Sequence, residues 1–181
     1  MPFMAYRLIT LLTLIVSIQA LDLDVTNRQS ILDAASTVAH GVQAIYNGNR
    51  TGGVLGKFPY LPYYWWESGG AWGGMMHYWA FTKDGSYNSV MTDALVSQLG
   101  PKYDFDMPVE AFNEGNDDQA FWVFAAMSAA EYNFTSPPAP APPWVTVVEN
   151  AWNDWYLRWN TTNCAGGLKC NLSGIETLCC C

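Results

Sequence analysis

Positive charge is scarce in this chain. Eight Lys and Arg stand against sixteen Asp and Glu in 181 residues, for a net charge of −8. Nucleic-acid binders need basic surface to replace phosphate counterions, so nucleic acid is excluded as a partner. Histidine is scarcer still, with only His40 and His77. Cysteine is absent before residue 164, and all five fall at Cys164, Cys170 and Cys179 to Cys181. An odd number with three consecutive members is neither a metal-ligand spacing nor a disulfide framework. The acidic residues Asp104, Asp106, Glu110 and Glu114 lack the glycine and terminal Glu of an EF-hand loop. No metal and no cofactor is therefore expected. Strand alternation is missing, and the only long apolar run is Leu8 to Ile18, too short for a membrane-spanning helix. With Arg7 before it and Ala20 after it, residues 1–20 read as a secretory signal peptide, with Ile18 where a small residue is usual.

Aromatic side chains, in contrast, are abundant: nine Trp, ten Tyr and eight Phe in a chain that is half hydrophobic. They supply a bulky helical core, and their faces also suit stacking on sugars. Four Asn-X-Ser/Thr triplets begin at Asn49, Asn133, Asn160 and Asn171, as expected of a secreted glycoprotein.

Periodicity divides the chain into successive helices joined by loops, an all-α array of helical hairpins. The first opens on a capping box at Thr26-Asn27-Arg28-Gln29, places Ile31, Ala35, Val38, Val42 and Ile45 inward and closes at Gly48. His40 lies on it and reads as a partly buried structural histidine. The second carries Trp65, Trp72, Met76 and Trp79 on one face. It also holds the small residues Ser68, Gly69, Gly73 and Gly74, which suit close approach by another backbone or a ligand. Glu67 and His77 are its polar members, available to a cleft. A third helix over 86–99, with Val90, Met91, Ala94 and Leu95 inward, stops at Gly100-Pro101. Residues 102–113 read as a solvated acidic loop at a cleft mouth. After a proline-rich turn at 136–143, Trp144, Val148, Trp152, Trp155 and Trp159 mark a fifth helix.

The fourth helix carries the chemistry. Glu114-Gly115-Asn116-Asp117-Asp118-Gln119-Ala120-Phe121-Trp122 places two adjacent carboxylates at a helix start. Asn116 is expected as the N-cap, with Gln119 at N3 and Asp117 and Asp118 as the first helical residues. Phe121, Trp122, Val123, Phe124, Met127, Ala129 and Ala130 make the helix apolar all round, hence buried, with its acidic start opening into a cleft. The two acids either complement the helix dipole or work as a catalytic pair.

Three motifs resemble one family: Tyr63-Tyr64-Trp65-Trp66-Glu67-Ser68-Gly69, Gly115-Asn116-Asp117-Asp118-Gln119-Ala120-Phe121-Trp122 and Cys164-Ala165-Gly166-Gly167-Leu168. They look like fungal glycoside hydrolase family 76, the endo-1,6-α-mannosidases and related cell-wall transglycosidases. The resemblance covers about residues 21–169. It implies an (α/α)6 barrel of twelve helices, an α-1,6-mannan or other mannose-containing glycan as substrate, and a retaining mechanism. Asp117 would be the nucleophile and Asp118 the acid/base, with Trp65, Trp66, Glu67, Asn116, Gln119 and Trp122 contacting substrate. It further implies a secreted protein associated with the cell wall or the outer face of the plasma membrane. Two departures stand out. His77 occupies a position that is often acidic in the family, and residues 170–181 resemble none of it. About five helices are expected here, so the sequence reads as the N-terminal part of the domain with a non-family tail. Its helices are expected to lack neighbours, leaving the 21–181 product poorly soluble and inactive. The reading from another class is a carbohydrate-binding fragment without activity.

Overall fold

The computed structural model describes residues 21, 23–110, 113–162 and 166–168. The signal-peptide reading of 1–20, the five cysteines, Asn171 and the 170–181 tail lie outside the described residues.

Five helices are present among the described residues, and no strand: α1 Arg28–Ile45, α2 Trp65–Thr82, α3 Asn88–Ser97, α4 Asn116–Glu131 and α5 Trp144–Arg158. The all-α expectation holds, and each expected helix appears with shifted ends. In α1 the N-cap is Asn27, not Thr26. The Asn27 side chain accepts from the backbone N–H groups of Gln29 (2.9 Å) and Ser30 (3.4 Å), while Thr26 bonds to Asp24. The helix ends at Ile45, before Gly48.

Helices α2 and α4 form the most intimate pair; α5 packs on α4, and α1 and α3 flank α2. Glycine makes the central pairing possible. A Cβ on Gly69 would come within 2.8 Å of the Trp122 ring, so only Gly lets that indole lie on the α2 backbone. Gly73 faces Ala125 at ordinary contact distance, and Gly74 faces open space, so close packing accounts for only part of the small-residue pattern. Trp122 is fully buried. It stacks on Trp65 with ring centroids 5.4 Å apart and meets Phe105 at 5.9 Å. Each central indole N–H has a partner: Trp122 donates to the Trp65 carbonyl (3.2 Å), Trp65 to Gln98 (3.0 Å) and Trp72 to the Gly56 carbonyl (2.7 Å). An aromatic core is thereby buried without stranded donors.

Four expectations about orientation are corrected. Helix α4 is not buried on every side: Trp122, Val123, Ala125, Ala126 and Ala129 face α2 and α5, but Phe124 is 58% exposed and Phe121 and Met127 are also exposed. In α1, Ile31, Val38 and Ile45 are exposed and Ala34 and Ala39 are the buried residues, while His40 is exposed rather than partly buried. In α5 the inward line is Trp144, Val147 and Ala151, and Trp152 and Trp159 point out. The 102–113 loop is not simply solvated, because Asp104 and Phe105 are buried and both backbone N–H groups bond to the Leu99 carbonyl. In each case an apolar or acidic pattern shows what a face is made of. Which neighbour lies against it is a tertiary matter.

Candidate active site

The start of α4 is built one residue earlier than expected. Gly115 is the N-cap and Asn116 the first helical residue, which puts Asp117 second and Asp118 third. The reason lies in Asp118: its Oδ2 accepts from the Gly115 backbone N–H at 2.5 Å, the reciprocal half of a capping box. A carboxylate at N3 satisfies an orphan donor and complements the dipole at the same time.

Adjacent helical residues diverge by about 100°, and the structure separates the two acids accordingly. Asp118 lines a cavity of about 620 Å³, whereas Asp117 is exposed beside it and outside its lining. Glu110, Glu114 and Asn113 from the preceding loop and Lys57 from the α1–α2 loop share the cavity with Asp118. Tyr60, Tyr64, Trp65 and Trp66 supply its aromatic wall. Tyr60 and Tyr64 are exposed at the rim in an edge-to-face pair with centroids 6.1 Å apart. Trp66 lies against Phe121 at 4.8 Å.

Three carboxylates and one ammonium group therefore face one space. Lys57 Nζ is 2.7 Å from Glu110 Oε1, both part-buried. Among the described residues Glu114 has no such ion-pair partner. Burial, then the charge of Asp118 and a hydrogen bond to it, then Glu110, raise the Glu114 carboxyl from 4.5 to about 7; Lys57 opposes this only weakly. Near neutrality Glu114 therefore keeps its proton in a substantial fraction of molecules, beside Asp118 in the same cavity.

The other expected contact residues divide. Trp65 and Trp66 line the cavity. Trp122 and Gln119 are buried and do not. Gln119 is a structural junction: its Nε2 donates to the Asp104 carbonyl (2.7 Å), and its Oε1 accepts from Trp155 Nε1 (2.6 Å) and Arg158 (2.8 Å). Asn116 is buried at the first helical position. Glu67 caps α2, accepting from the Tyr64 N–H at 2.7 Å, and faces a smaller pocket on the α1 side. His77 is exposed, 3.2 Å from Ser128 Oγ, at an apolar groove of about 510 Å³ between α1 and α2. Asn49 and Asn133 are exposed, and Asn160 is half-buried with its backbone paired to Gly167.

Lys57, Tyr60, Tyr64, Glu110, Asn113 and Glu114 were not singled out as site residues from the sequence. Glu114 carried one signal, an acid four residues before another across a helix start. Among the described residues no group of three or more His, Cys, Asp and Glu side chains is placed to hold a metal ion.

Carboxylates and indoles around one cavity, on a purely helical scaffold, define the class of helical glycoside-hydrolase domains. The model of glycosyl hydrolase family 76 matches residues 30–177, and the chain belongs to that family. The matched span runs past Lys169, where the resemblance by motif stops. Its relatives include proteins of Saccharomyces cerevisiae named mannan endo-1,6-alpha-mannosidase DCW1 and DFG5. They are 44% and 39% identical, over 83% and 88% of this chain but only 33% and 35% of their own length. A crystal structure of Dfg5 from Chaetomium thermophilum in complex with glucosamine superposes with a TM-score of 0.76 at 36% identity, covering 84% of this chain and 38% of that one. The five described helices therefore belong to an α/α-barrel family, and the chain spans about a third of the length of the curated relatives it matches.

Proposed function

We propose that this chain carries the catalytic carboxylates of a glycosidase that cleaves internal α-1,6-mannosidic bonds of mannan, secreted and acting in cell-wall organisation and carbohydrate catabolism. The observation that carries the reading is Asp118, anchored at a helix start and facing a cavity walled by Tyr and Trp rings. Asp118 is the acid/base that protonates the leaving oxygen. Asp117, one residue earlier and solvent-facing, is the nucleophile for a substrate laid across the helix end. Consecutive Cα atoms lie only about 3.8 Å apart. Two so tethered carboxyls suit the short separation of a retaining site better than the roughly 6.5–9.5 Å of a water-bridged inverting one. Trp66, half-buried in the cavity wall, binds a sugar face; Trp65, 2% exposed and stacked on Trp122, acts with Glu67, Asn116, Gln119 and Trp122 by shaping the walls. The mannan-cleaving relatives support the substrate class.

In a form that spans the length of its relatives, turnover of an α-1,6-mannan should fall by orders of magnitude in Asp117→Asn and in Asp118→Asn with the fold intact, about 1.36 kcal/mol of barrier per tenfold. Either variant turning over at the wild-type rate would remove that residue from the mechanism. NMR of the first product should show the retained anomer, and an inverted one would sink the nucleophile role of Asp117.

A transglycosidase acting on glycan anchors uses the same two acids and differs only in the acceptor. The Chaetomium thermophilum relative, solved with glucosamine, favours keeping this second reading. Product analysis with and without a glucan acceptor separates the two.

A further inference from the structure

Helices α2 and α4 run parallel. Gly69 meets Trp122, Gly73 meets Ala125 and His77 meets Ser128, contacts that advance together along both helices. Both helix starts therefore lie at one end of the pair. There the segment 57–64 that leads into α2 is joined to the loop that leads into α4 by the Lys57–Glu110 ion pair. The cavity between them, about 620 Å³, falls within the roughly 300–1,000 Å³ that encloses a drug-sized ligand. It has room for more than a single hexose.

Its wall has an order. Half-buried Asp118 and Trp66, the latter against Phe121, lie where α2 meets α4. Further back along the chain, on the segment before α2, Tyr64 and Tyr60 are 48% and 72% exposed. Tyr60 is not part of the core, yet its ring is held. It meets Tyr64 edge to face at 86°. Tyr64 is the N-cap of α2, and its N–H donates to Glu67. Two residues before Tyr60, buried Phe58 donates its N–H to Ser68 Oγ at 3.0 Å. An aromatic ring kept at the lip of a polar cavity, on anchored backbone and outside the core, is preorganised for a ligand, so stacking on it costs little ordering. Tyr offers such a ligand an apolar face and a hydroxyl. Lys57, Glu110 and Asn113 line the same cavity and supply donors and acceptors for further hydroxyl groups.

We propose that Tyr60, backed by Tyr64, is a sugar-binding subsite beyond the cleavage position. It takes the pyranose ring of a further mannosyl unit of the same glycan on its face, and so sets the length of chain that binds well. That the sugar is mannose rests on the glycosidase reading above.

The test is calorimetric titration of linear α-1,6-linked mannobiose and mannotetraose into the Asp117→Asn protein, in which hydrolysis is suppressed and the altered residue lies outside the cavity lining. The tetraose should bind more tightly than the biose. Adding Tyr60→Ala should weaken the tetraose by about tenfold and leave the biose unchanged. Tyr60→Phe keeps the ring and should keep most of the advantage. The melting midpoint should stay in place, because the side chain is exposed. A tetraose that binds no more tightly than the biose overturns the proposal, and so does Tyr60→Ala weakening both ligands alike or neither. Mannan turnover is measured separately. Turnover without a Tyr60-dependent gain in length refutes the subsite and leaves the glycosidase reading standing. A Tyr60-dependent gain without turnover does the reverse.

Discussion

Asp118 Oδ2 lies 2.5 Å from the Gly115 backbone nitrogen, so one carboxylate both caps helix α4 and faces the acidic cavity. Its structural and chemical roles are separable by substitution. Asp118→Ala removes the cap and should cost about 1 kcal/mol of stability. Asp118→Asn keeps an acceptor and should cost less, so the two are distinguished by their denaturation midpoints. Equal midpoints would mean that the cap contributes nothing measurable.

Gln119 should matter to stability far more than its neutral side chain suggests. Gln119→Ala strands the Asp104 carbonyl, the Trp155 indole N–H and part of the Arg158 guanidinium in a buried setting. Loss of about 3 kcal/mol is expected, the scale for removing a buried partner of a charged group. Urea titration at unchanged slope measures it, and a loss below about 0.5 kcal/mol, the level of an ordinary surface change, would show that these groups find other partners.

Two glycines of α2 should respond oppositely to the same methyl group. Gly69→Ala places a Cβ 2.8 Å from the Trp122 ring and should destabilise by about 1–3 kcal/mol through overpacking. Gly73→Ala finds Ala125 at 3.8 Å and should stabilise by about 0.5–1 kcal/mol through helix propensity. Thermal melts of the pair give the signs directly.

Glu114 should make stability depend on pH in a direction unusual for an acid. Its carboxyl is raised from 4.5 to about 7 in the folded chain. Between those values the folded state holds a proton that the unfolded state has released, so stability is fully present below 4.5 and is lost as pH rises through 7. Because the side chain is only partly buried, the screened effect is of order 1 kcal/mol. Comparing wild type with Glu114→Gln at about pH 3.5 and about pH 8, roughly a unit below and above that window, isolates it from Asp104, whose carboxyl burial also raises. A pH dependence identical in both proteins would rule Glu114 out as its source.

The sequence by itself determined the number and order of the described helices, the aromatic face of α2 and the placing of two acids at the start of α4. These follow from local rules: a 3.6-residue period, caps, and glycine and proline at the ends. The same period separates Asp117 from Asp118 by about 100°, but it does not say which of them points inward. That rotation was decided by tertiary contacts. Trp122 seats on Gly69, and Gln119 bonds to the Asp104 carbonyl and to Trp155 and Arg158 of α5, partners from two other parts of the chain. Those contacts turn Asp118 into the cavity, leave Asp117 at its edge and make Gln119 and Trp122 interior rather than substrate-facing. They also join Lys57 and Glu110, which lie 53 residues apart. Composition shows that such charges exist; only the packing of α2 on α4 brings them to one wall, because that proximity depends on how the helices cross and not on any spacing along the chain.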